Sequence, residues 1–337
     1  KLTNHFIIVR NGDAQGADVV VDGNLQVVLA RFADAEFFVR EDMNKKLEDF
    51  VPKLSQLTFQ KELGSMLEKT ERIEALTANL AEKLGLNTEE RQTAARIARL
   101  CKADLASEMV VEMTALQGVM GRYYARNSGE TPEVSEGVFE YYLPRTAEDP
   151  LPSGEAAAVV GLADRLDSIV GLFAVGLIPT GNKDPFALRR AAIGLVSVLM
   201  GKGVDFDLRE ALREAGKTQK VAVSEEVIEK AVAFIAGRMH NMLLEEGFRY
   251  DVIDAVEAVN GGNPGVARGM VETLNAWVAK PMWEELLPAF SRCVRMTRDL
   301  QEICQVDESV LVEEGEKSLL GALSDAETAL KTAPSLE

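Results

Sequence analysis

Two carboxylates stand three residues apart in Ala163-Asp164-Arg165-Leu166-Asp167, inside an otherwise apolar stretch. On a helix that spacing projects Asp164 and Asp167 from one face, where they could flank a divalent ion or a basic partner. The plainer alternative is pairing with an Arg or Lys on the helix surface. A further acid, Asp104, lies in Leu100-Cys101-Lys102-Ala103-Asp104-Leu105. Metal-assisted hydrolysis draws on several imidazoles, which bind transition ions without cancelling their Lewis acidity. The chain has two histidines, His5 in a strand-like run and His240 on a Met-rich helix. A packed or surface role is expected for each, with no catalytic residue and no metal ligand in this chain. There is no Ser-His-Asp set, P-loop or GxGxxG after a strand, so nucleophilic catalysis and nucleotide binding lack a motif.

Anion binding has better material. In Pro179-Thr180-Gly181-Asn182-Lys183-Asp184-Pro185-Phe186-Ala187-Leu188-Arg189-Arg190 a Gly-containing loop with Lys183 leads into a helix N-terminus. Such an end offers unpaired N–H groups and a positive dipole to phosphate. The alternative is a capped helix whose Arg189 and Arg190 pair with Asp164 or Asp167. Arg96, Arg99 and Lys102 recur every three residues, as do Arg292, Arg295 and Arg298. Each trio could track phosphates along a helix flank, or could simply be solvated. Arg122 and Arg126 surround Tyr123-Tyr124, rings that could stack on a base or pack in a core.

Several elements must position these groups. With 47% hydrophobic residues the chain can build a core, and its 337 residues suggest two domains or more. Residues 4–38 read as β-rich, with Phe6-Ile7-Ile8-Val9 and Leu25-Gln26-Val27-Val28-Leu29 broken at Asn11-Gly12 and Asp22-Gly23. The chain opens in that pattern without a methionine and is expected to begin partway through a longer polypeptide. From Asp42 the apolar spacing turns helical and stays so: Leu47, Val51, Leu54, then Ile73, Leu76, Leu80 and Leu84. Gly85 is expected to end a helix, while Thr88, Ser153, Asp184-Pro185 and Ser224 should each begin one. Residues 260–264 form a turn, and Pro281 and Pro288 should break later helices. A boundary is placed in the polar, Gly-punctuated residues 201–218. The predicted fold is mainly α: residues 1–40 end a preceding β-rich domain, 41–205 form one helical domain and 206–337 a second. Residues 335–337 read as a vector remnant.

The formal charge of −17 argues against unselective binding to nucleic acid or anionic membrane. A local basic patch still acts, because screening at physiological salt extends over roughly 8 Å. Cys101, Cys293 and Cys304 form no CxxC pair and suit a reducing cytoplasm. The apolar residues 156–179 are interrupted by Asp164, Arg165 and Asp167, so no membrane span is expected.

Asp104 with Asp164 resembles the HD superfamily, in which a His-Asp pair ending one helix and an Asp in a later helix bind a divalent metal. Here Ala103 takes the His place, and residues 69–76 contain no histidine. The acidic positions Asp104, Asp164 and Asp167 are therefore vestigial in this reading.

Longer strings resemble the β subunit of the two-subunit bacterial glycyl-tRNA synthetase. They include Val28-Leu29-Ala30-Arg31-Phe32-Ala33-Asp34-Ala35-Glu36-Phe37-Phe38, Gln117-Gly118-Val119-Met120-Gly121-Arg122-Tyr123-Tyr124-Ala125, Tyr142-Leu143-Pro144-Arg145, Ala163-Asp164-Arg165-Leu166-Asp167 and Lys183-Asp184-Pro185-Phe186-Ala187-Leu188-Arg189-Arg190, in the family's order. Residues 243–256 continue the likeness towards an incomplete anticodon-binding helical region. The resemblance implies an HD-like helical domain at 41–205 and a noncatalytic, cytoplasmic, tRNA-binding subunit. It also implies assembly with a catalytic α subunit as an α2β2 heterotetramer that charges tRNA(Gly) for protein biosynthesis. ATP and Mg2+ belong to α in this scheme, and this chain needs no cofactor. The alternatives from other classes are a metal-dependent phosphohydrolase of HD type and a purely structural scaffold subunit.

Overall fold

The computed structural model describes residues 3–13, 15–146, 149–181, 183–299 and 306–332. Asn182, Cys304 and residues 335–337 lie outside the described residues. The chain divides into two compact units, one of Lys1–Leu177 with Glu214–Val223 and the other of Ile178–Arg213 with Ser224–Glu337. One division point, between Arg213 and Glu214, falls within residues 201–218, and the others follow Leu177 and Val223.

The first unit opens with helix α1 (Ala17–Met43) and a 3-10 segment (Leu47–Gln56), followed by the antiparallel strands β1 (Thr58–Gln60) and β2 (Gly64–Ser65). Thr58 stands opposite Ser65 and Gln60 opposite Gly64, with an irregularity between. Then come α2 (Met66–Lys83), α3 (Thr88–Leu100), the short α4 (Glu108–Glu112), α5 (Val119–Asn127), α6 (Pro132–Glu140) and α7 (Glu155–Ala174). Among the described residues these two strands form the whole sheet.

A mainly helical fold is what the periodicity implied, but the β-rich reading of residues 4–38 is wrong. Residues 5–10 have no regular structure, and the valine-rich segment that follows is the 27-residue helix α1. Strand propensity is a preference for a pleated, half-buried surface and needs a neighbouring strand. A helix satisfies its N–H and C=O groups within itself, and Ala17–Met43 contains no proline to interrupt it. Gly23, read as part of a turn, is absorbed mid-helix.

Ser65 and Glu68 form a reciprocal capping box at the start of α2, and Asn87 with Glu90 repeats it for α3. Gly85, at φ 71°, takes the left-handed position after α2, and the Leu86 N–H reaches back to the Ala81 carbonyl. The core forms where α2, α3 and α7 meet, around Ile73, Leu76, Leu80, Ile97, Leu100, Leu162, Leu166 and Ile169. Sixteen of the 20 residues of α7 are buried. Any charged side chain on this helix must therefore find a partner inside the fold.

The second unit holds α8 (Leu188–Lys202), the first part of α9 (Leu208–Lys217), α10 (Glu225–Glu245), α11 (Tyr250–Asn260) and α12 (Pro264–Val278). It continues with α13 (Trp283–Thr297) and α14 (Glu314–Thr332). Helix α8 packs on α10 and α12, and α11 on α10 and α12, around Leu195, Leu199, Ile228, Ile235, Val252, Val256 and Val271. Ser224 caps α10 as expected, and residues 261–263 make the expected turn. Pro288 does not break α13; it lies within the helix, which tolerates the loss of one N–H donor there. No helix among the described residues is long and apolar enough to cross a membrane.

Candidate functional site

The acids singled out by spacing lie on α7, and their partners come from α2, the end of α3 and the segment after α9. Lys69 and Arg72 sit on α2 beside Ile73 and Leu76, so a stripe that is otherwise apolar carries two charges into the core. The Lys69 Nζ lies 2.9 Å from Asp164 Oδ1 and 2.8 Å from Asp167 Oδ2, and it donates to Ser168 Oγ at 2.7 Å. Arg72 donates through Nε to Asp167 Oδ1 at 2.6 Å, and the Gln219 amide adds a donor to the same oxygen at 2.8 Å. The Lys102 Nζ donates to Asp164 Oδ2 at 2.6 Å. Aromatic faces enclose the ammonium groups: Phe59 lies 4.6 Å from Lys69, and Tyr141 and Tyr142 lie 4.9 and 5.0 Å from Lys102.

This is an interior lattice. The side chains of Lys69 and Lys102 are 3% and 7% exposed, against 1% for Asp167 and 16% for Asp164. The expectation of a surface pair is therefore corrected, because α7 has almost no surface. Burial pushes the Asp164 carboxyl towards its neutral form, but the ammonium groups of Lys102 and Lys69 outweigh it and hold the group well below the usual carboxylate range. Asp167 is lowered by the same contest, with Lys69 and Arg72 prevailing over burial. Burial acts to lower Lys69, and the two aspartates reverse it, raising its ammonium above the ordinary value. Arg165 turns away and donates to the carbonyls of Tyr141, Tyr142 and Leu143 at 3.2, 2.9 and 2.8 Å. Burial pulls its guanidinium down to about 10.

Asp104 is used elsewhere. Its Oδ2 accepts from the backbone N–H groups of Gly118 and Gly121 at 2.6 and 3.0 Å, which caps the start of α5 from outside the helix. Burial raises its carboxyl to about 6 despite those donors, and Oδ1 has no hydrogen-bond partner.

The residues present do not fit a hydrolytic metal. Among the described residues Asp164 and Asp167 are the only carboxylates of the lattice and no imidazole joins it, and two ammonium groups and a guanidinium already neutralise them. A divalent ion at Asp164 would have to displace both lysines from ideal hydrogen-bonding distances. The arrangement ties three helical segments together through ion pairs that already engage both carboxylates.

The predicted phosphate-tracking residues separate into two groups. Arg96 is taken up by Glu130 and Glu48, at 2.6 and 2.9 Å, and Arg99 by Glu74 at 3.1 Å. Helix α3 ends at Leu100, so Lys102 leaves the stripe and turns into the core, which removes it as an RNA contact. Arg122 is paired with Glu136 at 3.3 Å and lies over the Phe139 ring, while Arg126 shares the same glutamate. In the second unit the cations are open to solvent. Lys183 and Arg190 are exposed and have no carboxylate partner among the described residues. Arg292 and Arg295 are exposed on α13, and Arg298 lies just past its end, 3.8 Å from Asp299.

The loop before α8 is a cap, and its details differ from both expectations. The N–H groups of Leu188 and Arg189 donate to the Asp184 carboxylate at 2.8 and 2.9 Å, so the helix supplies its own anion. Ala187, at φ 55°, makes a left-handed turn that delays the helix to Leu188, beyond Pro185. The guanidinium of Arg189 donates to the Gly181 carbonyl at 2.6 Å and pairs with neither Asp164 nor Asp167.

Spacing did not identify Lys69, Arg72 or Gln219. The signal available for the first two was a pair of cations on the apolar face of a predicted helix, a position that demands buried anions. Gln219 follows a polar segment and gave no such sign.

A family model described as glycyl-tRNA synthetase beta subunit matches residues 1–258. A glycine–tRNA ligase beta subunit of Clostridioides difficile is 42% identical over 321 residues, covering 95% of this chain and 46% of the relative. Proteins of the same description from Picosynechococcus and Desulforamulus reducens are 44% identical over 259 residues and 41% over 336. These alignments cover 76% and 97% of this chain, and 36% and 48% of the relatives. The chain thus spans about half the length, or less, of the curated relatives it matches. On the family match and on these identities, the chain belongs to the glycyl-tRNA synthetase beta subunit family.

Proposed function

We propose that this chain binds and positions tRNA(Gly) for a separate catalytic α subunit of glycine–tRNA ligase, in an α2β2 assembly of the cytoplasm. ATP, Mg2+ and the chemistry of glycylation belong to α. Family membership carries this reading. The lattice around Asp164 supports the noncatalytic part, since both carboxylates are neutralised by Lys69, Arg72 and Lys102. In this view the first unit is an HD-like body in which two ammonium groups stand where such a centre would place an ion. The mechanism is positional: contacts made here orient the acceptor end and convert binding energy into proximity at the partner's site. The exposed cations Lys183, Arg190, Arg292, Arg295 and Arg298 are the phosphate contacts favoured by exposure.

The test is the affinity of tRNA(Gly) for purified α subunit, with and without this chain, over a range of salt. Tighter binding with the chain present, weakening as salt rises, is expected. Equal affinity with and without it contradicts the proposal.

A further inference from the structure

We infer that His240, Asp254 and Glu257 form a binding site for a divalent transition ion, of the zinc or nickel class, joining α10 to α11. Asp254 and Glu257 are three residues apart on α11 and so share a face. His240 reaches that face from α10. Its Nδ1 lies 2.9 Å from Glu257 Oε2 and 3.7 Å from Asp254 Oδ1, and one ligand atom from each residue fits within a 4.8 Å span. Zinc binds N and O ligands at about 2.0–2.2 Å, so two of its ligands stand about 3 Å apart in octahedral and about 3.5 Å apart in tetrahedral geometry. The two separations from His240 bracket those values.

Charge points the same way. Neither Asp254 nor Glu257 has a lysine or arginine partner among the described residues, whereas Glu225, Glu229 and Glu246 in the same unit each have an arginine. A neutral imidazole with two carboxylates carries two negative charges, which one divalent ion balances. The imidazole selects against Mg2+ and Ca2+, which take oxygen ligands, and favours borderline ions. Asp254 is 62% exposed while His240 and Glu257 are 25% and 28% exposed, so one side of the site opens to water. Three protein ligands leave further coordination positions for solvent. His240 precedes the acids by 14 and 17 positions, a spacing with no metal-motif pattern, and the turn between α10 and α11 brings them together.

The experiment titrates this chain with Zn2+ alone against a chromophoric chelator, and follows its melting with Zn2+ and with EDTA. One equivalent of Zn2+ is expected, with a melting temperature higher in zinc than in EDTA. Even outer-shell partners of metal sites are worth roughly 10–100-fold in affinity, so Glu257→Gln and His240→Gln should weaken zinc binding by at least about tenfold. Asp254→Asn leaves the His240–Glu257 hydrogen bond in place and should weaken zinc binding without changing the melt in EDTA. It decides the matter if either of the other variants loses its helical circular dichroism. No zinc bound and no rise in melting temperature at any zinc concentration the chain tolerates without precipitating, or zinc binding unchanged in Asp254→Asn, overturns the inference.

Discussion

Lys102 and Asp164 show how costly an isolated buried charge is. Each is nearly enclosed; Lys102 is tolerable because Asp164 lies 2.6 Å away, and Asp164 because Lys102 and Lys69 both reach it. Removing one member of a buried pair typically costs about 3–5 kcal/mol, whereas replacing both by neutral groups of similar size is often close to neutral. Lys102→Met removes one cation from Asp164 but leaves Lys69 beside it, so it should destabilise the first unit in urea unfolding by less than that amount, and the double change Lys102→Met with Asp164→Asn should cost less than the sum of the two single changes. A double variant whose loss equals that sum would show that the two side chains do not act as a pair. Acid has a defined sign for Asp104. Its folded carboxyl is raised from an ordinary 3.8 to about 6, so the folded state holds a proton that the unfolded state releases between those values. This group's contribution is favourable below about pH 4 and is lost as the pH rises through about 6. Asp104→Asn should accordingly lose more melting temperature relative to wild type at pH 5 than at pH 7. An equal loss at both would contradict the assignment. Asp164 and Asp167 run the other way, because their folded carboxyls are depressed, and they stabilise above an ordinary 3.8 and weaken only in stronger acid.

At the scale of elements, α8 depends on a carboxylate four residues before its first helical residue. Asp184→Ala removes the acceptor for the Leu188 and Arg189 N–H groups and should cost about 1 kcal/mol, measured as a shift in the urea midpoint at constant slope. No shift would mean that solvent serves those donors equally well. Most helices were legible from the spacing of apolar residues, and the capped starts at Asn87 and Ser224 fell within a residue of the expected positions. Residues 25–29 were misread because β-branched and aromatic side chains favour strands only where a neighbouring strand exists, and local sequence does not report that. Lys102 was misread because a three-residue repeat was carried two residues past the end of α3. The acids of the candidate site were visible from their spacing, whereas their burial was not. That follows from the packing of α7 by α2 and α3, a tertiary fact.

Across the whole molecule, a chain of net charge −17 must confine any phosphate contacts to a small region. In the first unit Arg96, Arg99 and Arg122 are paired with glutamates, which leaves the exposed set of the second unit. Changing Arg292 and Arg295 together to Ala should weaken tRNA(Gly) binding by the α–β assembly and reduce its salt slope by about two, one per lost phosphate contact. An unaltered slope would move the contacts elsewhere. On the proposed function, the Asp164 cluster supports the fold and takes no part in chemistry. Asp164→Asn tests this most directly, through the melting temperature of the chain and the glycylation rate per folded molecule with α subunit and tRNA(Gly), well below both transitions. The prediction is a melting temperature lower by several degrees, about 2–4 °C for each kcal/mol lost, with an unchanged rate. An unchanged melting temperature with a rate reduced by about a hundredfold, the effect of removing a working catalytic group, would contradict it.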